Sequence, residues 1–362
     1  MSQQPSARAD VAPAGAAGAG ALRAAYRALA ARRARVLLTL LAVALVGLVA
    51  DIATGPAFLR PGVVLAAIVG QPVDPSVEAI VWTIRLPVAL TALAVGAALG
   101  LSGAVMQTIL HNPLASSYTL GISAGAGFGA SLAIVLGWSL PVAETYAIAG
   151  NAVLFAAIAC AAVYWIGGGA RASAEGLVLA GIACLFLFQA LTSLLQMVAS
   201  PEALQQVVFW LFGSLQKATW AKLAVLVGVL ALGLPLIARE AWSLTALKLG
   251  DARAEALGVA VRALRMRCFL VISALTGVAV AFVGTIGFIG LVAPHVARMT
   301  IGEDQRAFLP ASVLSGAALL SLASVASKLV RPGAIIPVGI VTALIGVPFF
   351  IAIVLRRRGS FW

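Results

Sequence analysis

From residue 36 almost to the C-terminus, long apolar runs alternate with short polar breaks. The runs are Val36–Ala50, Pro87–Leu110, Leu114–Leu136, Pro141–Ile166, Gly176–Ala199, Trp220–Ala238, Cys268–Thr285, Gly287–Met299, Phe308–Val330 and Val338–Leu355. A helix crossing the hydrocarbon core of a bilayer needs roughly 20 apolar residues. The pattern therefore predicts an all-α polytopic membrane protein of about ten transmembrane helices. Gly287–Met299 is short and Cys268–Thr285 borderline, so one span plus a partial one is the alternative reading there.

The breaks differ in character. The longest charged one, Arg239–Arg267, holds nine of the chain's 36 charged residues. Asp51–Leu86 carries Pro56, Pro61, Pro72 and Pro75, and Ser200–Trp220 is amphipathic with aromatic rings near Phe209 and Phe212, as an interfacial helix would be. With both termini inside and ten spans, eighteen Lys and Arg fall in inner segments and six in outer ones. That bias follows the positive-inside rule and predicts a multi-pass protein of the inner (cytoplasmic) membrane. Residues 1–34 read as a poorly ordered cytoplasmic tail, helical near Ala21–Arg35. Residues 35–357 form the membrane domain, with 239–267 its cytoplasmic loop, and 358–362 are a C-terminal tail.

Composition supports the same class. The 362 residues are 62% hydrophobic and 10% charged, against about 25% charged in soluble domains. The net charge of +12 sits mainly between the apolar runs, so lipid bilayer rather than nucleic acid is the expected partner. Cys160, Cys184 and Cys268 lack a metal-ligand or disulfide spacing. All twelve acidic residues fall in loops or at span ends. Ion-coupled carriers usually need ionisable groups inside the membrane, which counts against a proton- or ion-coupled secondary transporter, the competing reading.

Local motifs add candidates. Gly121-Ile122-Ser123-Ala124-Gly125 matches a nucleophile elbow, but it lies in an apolar run and the chain has only His111 and His295 as bases. Helix packing through GxxxG spacings (Gly96/Gly100, Gly121/Gly125, Gly125/Gly129) is the better reading. There is no phosphate-binding loop, so no catalytic residue, metal site or cofactor is assigned to this chain. Gln189, Thr192, Ser193 and Gln196 share one helix face, suited either to a solute pathway or to interhelical hydrogen bonds. Asp251–Val259 reads as a short helix between Gly250 and Gly258.

Five blocks, taken together and in order, resemble the FecCD-type permeases of ATP-binding-cassette importers. They are Ile84–Ala130, the Trp210/Gly213/Ser214/Leu215/Trp220 pattern, Leu247–Val259, Gly284–Arg298 and Pro337–Phe350. The resemblance implies a type II importer fold of ten helices and a pore between two copies, or between one copy and a paralogue. It implies two ATPase subunits inside, which carry ATP and Mg, and an extracytoplasmic substrate-binding protein outside. The expected cargo is a metal-chelate, ferric siderophore first, with haem or cobalamin as alternatives. By the same resemblance Leu247, Gly250, Asp251, Ala254, Leu257 and Gly258 couple to the ATPase, and Arg85 and Lys328 dock the binding protein. Asn112, Leu114, Ser173 and Ala174 form a cytoplasmic gate, and Gln189, Thr192 and Gln196 line the pathway. Val88 replaces the second Arg of the family's RLPR, with Arg60 or Arg331 as substitutes. The flanks Arg239–Ala246 and Val261–Arg267 are expected to set topology by charge alone, each residue being replaceable.

Overall fold

A computed structural model describes residues 14–56, 58–141, 144–169, 173–330 and 335–356. Among them the chain forms α1 (Ala14–Ala53), α2 (Pro61–Val69), α3 (Pro75–Ile80), a π-helical turn at Val81–Arg85 and α4 (Leu86–Ile109). Next come α5 (Ile122–Leu136), α6 (Glu144–Ile166), α7 (Ala174–Val198), α8 (Pro201–Leu211) and α9 (Trp220–Arg239). The remaining helices are α10 (Ala241–Leu247), α11 (Asp251–Ala256), α12 (Val261–Val283), α13 (Ile289–Ile301), α14 (Gln305–Leu329) and α15 (Val338–Arg356). The ten apolar runs correspond to α1, α4, α5, α6, α7, α9, α12, α13, α14 and α15, so Cys268–Thr285 and Gly287–Met299 belong to separate helices. The helix expected near Ala21–Arg35 is part of α1, which starts at Ala14 and continues unbroken into the first apolar run. Half of its first twenty residues are alanine, a strong helix former that gives no apolar period to read. Residues 1–13 and the tail 358–362 lie outside the described residues.

The core is built around α4, of which all but two residues are buried. Glycine is what admits its neighbours. A Cβ at Gly96 or Gly100 would overlap the carbonyls of Gly316 or Ser312 on α14, and one at Gly103 would overlap Gly290 on α13. Backbones this close exchange dispersion contacts that lipid tails cannot match. The α5–α6 crossing repeats the device, with Gly125 against Phe155 and Gly129 against Asn151. The GxxxG pairs are thus packing seams.

Among the described residues seven helices are long and apolar enough to cross a membrane. Three are shorter: α5, α13 and the apolar part of α15. At 15 residues, α5 spans about 22 Å, short of a hydrocarbon core near 30 Å. Each short helix is preceded by non-helical chain: Leu114–Gly121 with its turns, Gly284–Phe288, and 335–337. Irregular backbone at membrane depth is stable only where it is buried or lines a water-filled space.

Candidate functional site

The α10–α11 unit closes one end of the bundle. Leu244 and Leu247 of α10 are fully buried, as is Ala254 of α11. Gly250 at φ 95° precedes α11 and Gly258 at φ 84° follows it. The Gly258 N–H returns to the Glu255 carbonyl and the Val259 N–H to that of Ala254. That pairing is a Schellman stop, which calls for a left-handed residue where Gly258 stands. Of the six coupling candidates, Leu257 and Gly258 are exposed on the outer side together with Leu249 and Arg253. Leu247 and Ala254 cannot touch a partner, because they anchor the unit to the bundle.

Asp251 joins this unit to the core. Its two carboxylate oxygens accept hydrogen bonds from Arg265 Nη1 and Nη2, each at 2.8 Å. His111 Nε2 lies 3.2 Å from Oδ1. Arg265 also donates Nε–H to the Ile109 carbonyl at the end of α4, at 2.9 Å. Arg265 is buried, which overturns the expectation that residues of its flank are replaceable. Around it, Glu303 bridges Lys248 and Arg298, and Arg33 of α1 pairs with Asp304. Desolvation pulls the Asp251 carboxyl up, but Arg265 and His111 outweigh it and hold it below its ordinary value. Glu303 is depressed likewise, desolvation being outweighed by Lys248 and Arg298. A depressed carboxylate stabilises the fold above its unfolded pKa and stops doing so as pH falls through its folded one. The clamp therefore holds at neutral pH and opens only in acid.

Arg265→Gln is expected to destabilise the chain by about 2 kcal/mol, the worth of one or two charge-assisted hydrogen bonds. Thermal unfolding of the wild type and the variant checks it.

The four gate candidates lie at this same end. The Asn112 Oδ1 accepts from Leu114 N–H at 2.9 Å and so holds the HNP turn, while Leu114 is 51% exposed. Ser173 caps α7 by accepting from Gly176 N–H at 3.1 Å, and Ala174 is half-buried. Through His111 the HNP turn touches Asp251, so the α10–α11 unit and the HNP turn share one carboxylate.

The three irregular stretches converge. A hollow of ≈ 840 Å³ is lined by Tyr118 and Thr119 before α5, by Thr285 and Phe288 before α13, and by Gly339 and Ile340 at the start of α15. A second, of ≈ 360 Å³, carries Ser123, Gln189, Thr192 and Gln196, and Tyr118, Leu211 and Thr285 line both. Gln189 is exposed and Gln196 half-buried, whereas Thr192 is buried and donates to its own helix at Phe188 O, 2.7 Å. Phe288 takes φ 66°, a strained setting for an aromatic residue. Tyr118, Thr119, Thr285 and Phe288 carry no period in the sequence. For Thr285 and Phe288 the local signal is the glycine density of Gly284–Gly290, and Tyr118 and Thr119 have no such signal.

At the opposite end the two docking candidates, Arg85 and Lys328, are turned inward. Arg85 is buried and donates to the carbonyls of Ile52 and Ala53, at 2.7 and 2.9 Å. Lys328 is buried too, donating to the Asp51 carbonyl at 2.8 Å and lying 2.8 Å from the Asp51 carboxylate. Asp51 itself is fully buried. These cations tie the end of α1 to α4 and α14, and in this state neither is available to an external carboxylate. Arg60 is exposed at this end, and Arg331 lies outside the described residues.

Comparison with known proteins places these features in context. The family model described as the FecCD transport family matches residues 38–356. The chain is 39% identical over 280 residues to the hemin transport system permease protein HmuU of Yersinia pestis, covering 77% of this chain and 84% of that one. It is 34% identical over 312 residues to the vitamin B12 import system permease protein BtuC of Klebsiella pneumoniae, covering 86% and 91%. A solved structure described as an inward-facing, metal-chelate type ABC transporter superposes with a TM-score of 0.79 at 33% identity, covering 89% of this chain and 99% of that one.

Proposed function

We propose a cargo and a working cycle from one premise: the chain belongs to the FecCD transport family and is the permease component of an ABC importer for metal chelates. It is a multi-pass membrane protein and a transport component without an enzymatic activity of its own.

The cargo we assign is a ferric siderophore. The observation that carries this is the joined pair of hollows where three short helices begin. Their lining offers hydroxyls and amides (Tyr118, Thr119, Ser123, Gln189, Gln196), which can hydrogen-bond a bulky, polar solute without gripping its metal. The N-terminal ends of α5, α13 and α15 open onto these spaces, and each favours negative charge by about 0.3–1 kcal/mol. Anionic chelates fit that field. Haem is the second reading, because Leu211, Phe212, Phe288 and Leu291 give the larger hollow an apolar side.

In the cycle, a second copy completes the pore against the α7 face that carries Gln189 and Gln196. A binding protein delivers the chelate at the end that exposes Arg60. Two ATPase subunits bind the opposite, cytoplasmic end, where Leu249, Arg253 and Leu257 project. ATP-driven closure of the ATPase pair can bias the permease only through a contact that differs between its states. Here α11 supplies that contact, and Asp251 passes its displacement to α4 through Arg265 and to the HNP turn through His111.

Uptake of labelled ferric siderophore, haem and cobalamin by proteoliposomes holding the permease with its ATPase and binding protein tests the cargo. Siderophore uptake should exceed the others, and preferential uptake of haem would reverse the assignment. Gln189→Leu with Gln196→Leu should lower the siderophore rate about fivefold, on the order of 1 kcal/mol as expected for lost neutral hydrogen bonds. ATPase binding should be unchanged, which co-purification would verify.

A further inference from the structure

On the side of the bundle where α6 crosses α12, the two helices leave a groove of ≈ 550 Å³. Its walls are mainly apolar, with Val153, Ala157, Ala161, Leu270 and Ala274 exposed along it. Its two small polar groups satisfy each other, the Cys160 thiol donating to Ser273 Oγ at 2.9 Å, so the floor asks nothing polar of an occupant. From Val153 to Trp165, and from Met266 to Val278, each wall runs about 18 Å along its helix. That is close to the hydrocarbon depth of one leaflet, half of a core near 30 Å.

The end of the groove nearest α11 changes character. Tyr164, Met266 and Phe269 are shared with a small adjoining pocket that adds Arg262 and Arg265. Arg265 is already committed to Asp251 and Ile109, whereas Arg262 is exposed at the mouth. Trp165, 77% exposed, stands beside it, and tryptophan and tyrosine at a groove mouth mark the depth of lipid headgroups. A cation and aromatic rings at one end of a chain-length apolar groove match the two halves of one molecule.

We propose that this groove binds an anionic phospholipid of the inner leaflet, with one acyl chain between α6 and α12 and its phosphate on Arg262. The site borders the start of α12, three residues from Arg265, so its occupant packs against the helix that carries the coupling clamp.

The test is native mass spectrometry of the full-length permease in mild detergent, titrated separately with phosphatidylglycerol and phosphatidylcholine of equal chain length. The wild type should retain phosphatidylglycerol about fivefold more tightly, the worth of one arginine at an anionic surface. Arg262→Ala should abolish that preference and Arg262→Lys restore it. Ala274→Phe, which fills the groove, should weaken both lipids, and glycerol phosphate should displace neither. Equal retention of the two lipids by the wild type, or a preference that survives Arg262→Ala, would overturn the proposal. So would lipid retention unaffected by Ala274→Phe, or a disulfide between two copies of an Ala274→Cys variant, which would make this face a contact between permeases.

Discussion

Gly258→Trp is expected to abolish co-purification of the ATPase subunits while leaving the permease inserted in the membrane. The position is exposed at φ 84°, and a Cβ built there meets nothing within 4 Å. The indole therefore projects onto the outer side of α11, the side proposed to meet the ATPase. The backbone cost of a side chain in the left-handed region is about 1–2 kcal/mol, and Gly258→Ala incurs it without the bulk. Alanine should keep most of the association and tryptophan none. If both variants bind the ATPase like the wild type, α11 is not the contact. If both lose it equally, backbone geometry rather than the exposed surface is what the ATPase reads.

The largest loss of stability is expected from Lys328→Met. It leaves Asp51, with no exposed surface, as a buried carboxylate stripped of its nearest cation. Breaking a buried pair from one side costs about 3–5 kcal/mol. Arg85, which remains nearby, places the expectation toward the lower end. The thermal midpoint in detergent should fall on the order of 5–10 °C, and Asp51→Asn in the same chain should recover part of it. A Lys328→Met protein with an unchanged midpoint but weaker affinity for the binding protein would return Lys328 to the docking role that its family resemblance implied.

That disagreement shows where the sequence is readable. The spans were legible because bilayer thickness imposes a length on every apolar run. The bounds of α11 were legible because Gly250 and Gly258 do a job that other residues do at a cost. Asp51 and Lys328 stand 277 positions apart and each looks like a charge at a span end. Nothing local tells a cation facing solvent from one turned inward onto a carboxylate. Arg265 has the same ambiguity: among the positive residues of its flank it scores as one more topology charge, and only the fold brings it between Asp251 and Ile109. The pathway was half visible. The amides of α7 follow a helical period, whereas Tyr118, Thr119, Thr285 and Phe288 sit on irregular backbone that has no period to detect. The late start of α5 belongs to the same class, since Leu114–Gly121 is apolar enough to extend the run but turns instead of coiling.

The central claim is that work done by a partner ATPase on α11 opens a path for a chelate through the hollows beside α7, α13 and α15. Its most direct test is uptake of a labelled ferric chelate by proteoliposomes that contain the permease, its ATPase and its binding protein. Uptake should require ATP inside the ATPase-facing compartment, vanish with Gly258→Trp, and persist when a proton uncoupler collapses the membrane potential. Uptake that continues without ATP and stops with the uncoupler would contradict the account and establish an ion-coupled carrier in its place.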